Sequence, residues 1–90
     1  MPSSVLIPSA VLTRQFDGES VLLNLDSEVY FGLNAVGTFA WEKLREGQSL
    51  DQIAQALTAA YDVSEEEAMA DLDALLGELV EHGLIELKDK

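Results

Sequence analysis

Residues 28–41 read EVYFGLNAVGTFAW, and within this stretch the apolar repeat changes its period. Val29, Phe31 and Leu33 recur every second residue, which lines one face of a strand, whereas Val36, Phe39, Ala40 and Leu44 recur at helical spacing. A strand therefore hands over directly to a helix. Asn34 stands at the switch, where its short side chain can accept from the first free amides of that helix.

Working back toward the N-terminus, Val11 to Phe16 and Glu19 to Leu25 are apolar-rich runs separated by Asp17-Gly18. That dipeptide is a strong hairpin signal because both central residues of the turn need positive φ. The next turn, around Asp26 to Glu28, has no glycine and leaves its length open. A two-residue loop pairs Leu23 with Tyr30 and splits the apolar residues between two faces. A three-residue loop pairs Leu25 with Val29, Leu23 with Phe31 and Val21 with Leu33, collecting six apolar residues on one face, and is the expected register. Leu12 and Phe16 join that face, while Tyr30, Leu22 and Asn24 point the other way. Met1 to Ala10, with two prolines and three serines, is expected to be a loosely held lead-in with room for a short edge strand.

Working forward, the first helix is predicted over Ala35 to Arg45, ahead of Gly47. Ser49 with Gln52, and Ser64 with Glu67, each fit a capping box and open the second and third helices. Leu50, Ile53, Ala54, Leu57 and Tyr61 form one stripe on the second. The third is expected to end near His82, with Gly83 as its stop and Leu84 to Leu87 as an extended tail. The fold class that follows is α+β: a three-stranded antiparallel meander followed by three helices, in the manner of a winged helix-turn-helix, as a single domain over 1–90. No later strand is available in sequence to pair with the third strand, so its outer edge is expected to be free, and a long apolar edge implies cover or use.

Composition narrows the function. Ninety residues leave little surplus for a deep catalytic cleft, since a domain of this size buries only about 60–65% of its unfolded surface. There are no cysteines, hence no disulfides or thiolate ligands. The first ten residues lack the charge and apolar run of a signal peptide, and no run is long enough to span a bilayer, so the expected location is the cytoplasm. Seventeen acidic residues against five basic ones give a net charge of −12, and from Glu46 to Leu87 there is no Lys or Arg. Such a surface keeps a protein soluble and repels a phosphate backbone.

No catalytic constellation is found. His82 is the only histidine, in the last turn of a helix, and no serine is placed to be activated by it. Asp71 and Asp73 point about 200° apart on a helix and cannot chelate one ion together. Glu65, Glu66 and Glu67 suit the start of a helix. No glycine-rich phosphate loop is present, so no cofactor is expected. A winged-helix DNA reader is the main rival, but it needs Arg or Lys on its recognition helix, and the third helix has neither. A plain dimerisation module pairing two free edges is a further alternative. On the third helix, Ala68, Met69, Leu72, Leu75, Leu76, Leu79 and Val80 span an arc of about 140°, wider than one-sided packing requires, so its margins could line a groove against the third strand. Trp41 is assigned to the core, and Tyr30 to an exposed position on the free edge.

The run YFGLNAVGTFAWEKLREGQSLDQIAQAL, followed by YDVSEEEAMADLDALLGELVEHGLI, resembles the PqqD-like proteins, recognition elements for ribosomally synthesised, post-translationally modified peptides (RiPPs). The markers are Leu33-Asn34, the Gly47 turn, Asp71-Leu72 and Gly83-Leu84-Ile85, in that order and spacing. The resemblance implies a non-enzymatic protein to which the leader segment of a precursor peptide adds as an extra strand. Peptide binding then falls to Glu28, Val29, Tyr30, Phe31, Gly32 and Leu33 along the edge, with Asp71, Leu72, Leu75 and Leu76 on the helix side. Members serving cofactor pathways tend to carry a cysteine-aspartate-glycine turn where this chain has Arg45-Glu46-Gly47. YFGLN and GTFAW look more like the stand-alone recognition proteins of lasso-peptide pathways, which deliver a leader to a separate leader peptidase. A leader-binding chaperone for another RiPP or PQQ-type modifying enzyme is the alternative within the family.

Overall fold

The computed structural model describes residues 4–88. The chain runs β1 (Ser4–Leu6), β2 (Val11–Phe16), β3 (Glu19–Asn24), β4 (Val29–Leu33), α1 (Ala35–Arg45), α2 (Leu50–Ala60), α3 (Glu65–Glu81) and β5 (Glu86–Lys88). Strands β2, β3 and β4 form one antiparallel sheet in that order. It is the expected α+β layout of a three-stranded meander followed by three helices. The lead-in does contribute a strand, and that strand pairs antiparallel with the tail, Val5 opposite Leu87, rather than with the meander. The first three residues of the lead-in lie outside the described residues.

Local signals set the element ends. Asp17 and Gly18 have φ of 53° and 79°, the two positive values that a two-residue hairpin turn demands. Asn34 caps α1 by accepting from the Gly37 amide at 2.8 Å. Ser49 and Ser64 form complete capping boxes with Gln52 and Glu67. Gly47 and Gly83, at φ 85° and 72°, end α1 and α3.

The register of β3 with β4 corrects the expectation. Leu23 lies opposite Tyr30, Leu22 opposite Phe31, Val21 opposite Gly32 and Ser20 opposite Leu33. These are the pairings of the two-residue alternative, reached through a wider loop of four residues, 25–28. Glu28 is therefore a turn residue at φ 61°, its amide bonded to the Asn24 carbonyl at 2.7 Å, and β4 starts at Val29. Val29, Phe31 and Leu33 face the helices as expected, but their neighbours on β3 are Ser20, Leu22 and Asn24, all buried. Val21, Leu23 and Leu25, together with Leu12 and Phe16, take the outer face, where Leu12, Phe16 and Leu25 are exposed. Tyr30 is on that outer face and 71% exposed, as expected.

The physical reason is that the two buried polar residues on β3 are fully bonded. The Asn24 amide group donates to the Gly83 carbonyl at 2.8 Å, and its oxygen accepts from the Asp26 and Ser27 amides at 2.9 and 3.2 Å. The Ser20 and Thr38 hydroxyls pair at 2.8 Å between β3 and α1. A polar group with such partners is cheap to bury, so counting apolar residues picked the wrong face. Leu22, the one apolar residue between them, is completely buried.

The core lies between the inner sheet face and the helices, and includes Leu33, Trp41, Ile53, Leu72, Leu76 and Leu79. Trp41 is fully buried, as assigned, with its indole N–H donating to the Thr13 hydroxyl at 2.9 Å. Of the wide apolar arc on α3, Ala68, Leu72, Leu76 and Leu79 are core, Met69 and Leu75 are half-buried, and Val80 is exposed. Among the described residues no helix is long and apolar enough to cross a membrane.

Candidate functional site

Among the described residues, nothing pairs with the outer edge of β4. Which of its backbone groups face outward follows from the ladder. The two-residue turn makes Phe16 and Glu19 a hydrogen-bonded pair, and such pairs recur every second residue in an antiparallel ladder. The Leu25 amide bonding to the Ala10 carbonyl at 3.0 Å fits that alternation. Glu19, Val21 and Leu23 therefore spend their backbone groups on β2, and Ser20, Leu22 and Asn24 spend theirs on β4. Val29, Phe31 and Leu33 answer them. The N–H and C=O groups of Tyr30 and Gly32 are left pointing out from the sheet.

Beyond the Leu33 end of this edge, a groove opens between the first turn of α1 and the side of α3. It holds about 330 Å³, near the low end for ligand sites. The α1 wall is Asn34, Val36, Gly37 and Ala40; the α3 wall is Asp71, Leu72, Ala74, Leu75 and Glu78, with Leu57 between them. Gly37 packs closely against Leu33: an added Cβ would meet the Leu33 Cδ2 at 3.2 Å, so a side chain there would require Leu33 to give by a few tenths of an ångström. Near the other end of α3, the Phe31 and His82 rings lie 5.0 Å apart, and the His82 Nδ1 is 2.8 Å from the Glu78 carbonyl. This contact fixes the C-terminal turn of α3 beside β4.

The residues expected from the sequence are brought together in part. Val29, Tyr30, Phe31, Gly32 and Leu33 form the edge strand, and Glu28 is the turn that precedes it. Asp71, Leu72 and Leu75 line the groove, with Leu72 as its buried floor. Leu76 is not part of the lining; it is 2% exposed and packs in the core. Sequence reasoning missed Asn34, Val36, Gly37, Ala40, Leu57, Ala74 and Glu78. The last two carry a legible signal, since 71, 74, 75 and 78 follow one ridge of a helix. The α1 wall carries none, because the angle between α1 and α3 is set by packing.

The arrangement offers directional main-chain bonds along an edge and an apolar-floored slot beside it, which suits an extended peptide. The comparisons point the same way. Residues 19–85 match the family model described as coenzyme PQQ synthesis protein D (PqqD). The structure superimposes on that of TbiB1 in complex with the TbiA(beta) leader peptide with a TM-score of 0.86, at 38% identity over 90% of this chain and 94% of that one. It also superimposes on a lasso peptide synthetase B1 complexed with its leader peptide, again at a TM-score of 0.86, with 30% identity over 93% and 99% of the two chains. No curated protein matches.

Proposed function

The chain belongs to the PqqD family, as a PqqD-like RiPP recognition element, and from that premise we propose that it binds the leader segment of a ribosomal precursor peptide by strand addition to β4 and presents it to a partner enzyme. The observation that carries this reading is the free β4 edge, with the outward groups of Tyr30 and Gly32 beside the groove, in a chain that shares its fold with two leader-peptide complexes. Main-chain bonds to Tyr30 and Gly32 supply affinity. Side chains on the inward face of the leader enter the slot over Leu72, against Leu75 and Val36, and supply selection. The protein itself performs no chemistry. The partner is a leader peptidase of a lasso-peptide pathway, a reading supported by the likeness to the lasso peptide synthetase B1.

A winged-helix DNA reader fits less well. Between Glu65 and Glu81, α3 carries seven acidic residues and no basic one, so a phosphate backbone finds repulsion where it needs cations. The test of leader binding is fluorescence anisotropy with labelled leaders of the precursors encoded beside this gene. Binding is expected, and failure of every such leader at a protein concentration of about 100 μM would sink the proposal. Retention on a DNA column that falls with salt would support the rival instead.

A further inference from the structure

The α3 wall of the groove has an order of its own. Asp71, Ala74, Leu75 and Glu78 fall at i, i+3, i+4 and i+7, one ridge of the helix, so two carboxylates bracket a small and an apolar residue. They stand about 10.5 Å apart along the helix axis at 1.5 Å per residue. Neither carboxylate has a partner among the described residues. Lys43 and Arg45 lie at the far end of α1, paired with Glu46 at 3.8 Å and Glu42 at 3.0 Å. The His82 ring meets the Glu78 backbone carbonyl rather than its carboxylate. The opposite wall, Asn34, Val36, Gly37 and Ala40, bears no charged side chain, and the positive end of the α1 dipole there turns a cation toward α3.

Resting on the strand-addition reading, we propose that the groove selects a leader whose inward face reads basic, apolar, basic: a Lys or Arg two positions before and two positions after the apolar residue that enters the slot. Same-face residues of an extended strand are about 6.7 Å apart, so the two basic residues are separated by about 13 Å. The excess over the carboxylate separation is about 3 Å, which two long flexible side chains absorb. The apolar residue then meets Leu75 and the space above Ala74, with Leu72 beneath, while Asp71 and Glu78 take the two cationic heads. The charge of −12 adds long-range attraction for such a peptide at low salt.

The test uses three short synthetic peptides with identical flanks and the centres Lys-Thr-Leu-Thr-Lys, Gln-Thr-Leu-Thr-Gln and Glu-Thr-Leu-Thr-Glu, titrated into the intact protein by calorimetry. The Lys peptide is expected to bind about 4- to 25-fold more tightly than the Gln peptide, from two exposed ion pairs of about 2- to 5-fold each. The Glu peptide should bind more weakly than either. Asp71→Asn combined with Glu78→Gln should remove the spread, about 0.5 M salt should compress it, and Asp73→Asn, on another face of α3, should leave it. Equal affinities for the Lys and Glu peptides, a spread that survives in the double variant, or no binding of the Lys peptide would each overturn the inference. The leader-binding reading is judged separately, by the neighbouring leaders and by their sensitivity to Tyr30→Pro. Leaders that bind and respond to that substitution, beside synthetic peptides that show no charge ranking, overturn the basic-apolar-basic rule alone.

Discussion

Replacing Tyr30 with proline removes one outward amide and no bond of the β3–β4 ladder, because the alternation set by the Asp17-Gly18 turn directs the Tyr30 backbone away from β3. Proline is tolerated on an edge strand whose amide faces solvent, so the protein should stay folded with a Tm within about 4–8 °C of the parent, the shift expected for about 1 kcal/mol in a domain of this size. A bound leader would lose one donor and keep an unmatched carbonyl, at a cost of about 1–3 kcal/mol, or about 5- to 150-fold in Kd. Phe31→Pro is the contrasting substitution. Its backbone bonds to Leu22 and its half-buried ring packs on His82, so it should destabilise the fold itself by about 2–4 kcal/mol. Tyr30→Ala separates side chain from backbone: the ring is 71% exposed on the outer face, and its loss should leave the Kd within about threefold, a fraction of a kcal/mol. Anisotropy with a labelled leader, alongside thermal unfolding followed by circular dichroism, reads all three. A folded Tyr30→Pro protein with undiminished leader affinity, or an equal loss in Tyr30→Ala, would refute main-chain pairing at this position.

Leu75→Glu places a third carboxylate on the groove ridge at a half-buried site; leader affinity should fall at least tenfold, about 1.4 kcal/mol, with a much smaller change in Tm, measured by the same pair of assays. Asn24→Ala leaves the Gly83 carbonyl and the Asp26 and Ser27 amides without their partner and should cost about 1–3 kcal/mol in denaturant unfolding. Ser20→Ala removes the shorter of the two bonds of the Thr38 hydroxyl and leaves it only the Leu33 carbonyl at 3.4 Å, so the double change Ser20→Ala with Thr38→Val should cost less than the sum of the single changes, by at least about 0.5 kcal/mol in a double-mutant cycle.

The meander and three helices were legible because each boundary carries its own chemistry within a few residues. Asn34, Ser49 and Ser64 cap helices through amides three positions away, and Gly47 and Gly83 stop them by adopting a positive φ. The edge strand was legible too, since the chain turns from β4 straight into helices, and the short β5 that follows them pairs with β1. The face of β3 was not. Asn24 reaches Gly83, 59 residues away, and Ser20 reaches Thr38, 18 away, and these bonds let polar side chains occupy the core face while Val21 and Leu23 turn outward.

The same division runs through the candidate site. By itself the sequence determined that β4 ends in a helix at Asn34, that α3 carries an apolar arc wider than packing needs, and that its solvent side is acidic without relief. Those are properties of short segments, fixed by strand and helix periodicity and by charge. Only the tertiary structure decided that Tyr30 and Gly32 present the outward amides, that Leu76 is core while Leu75 is groove, and that Asn34 and Val36 face Asp71 and Glu78 across a slot. Each of these depends on the register of one strand and the packing of two helices, and both are settled by which distant polar and apolar groups find partners.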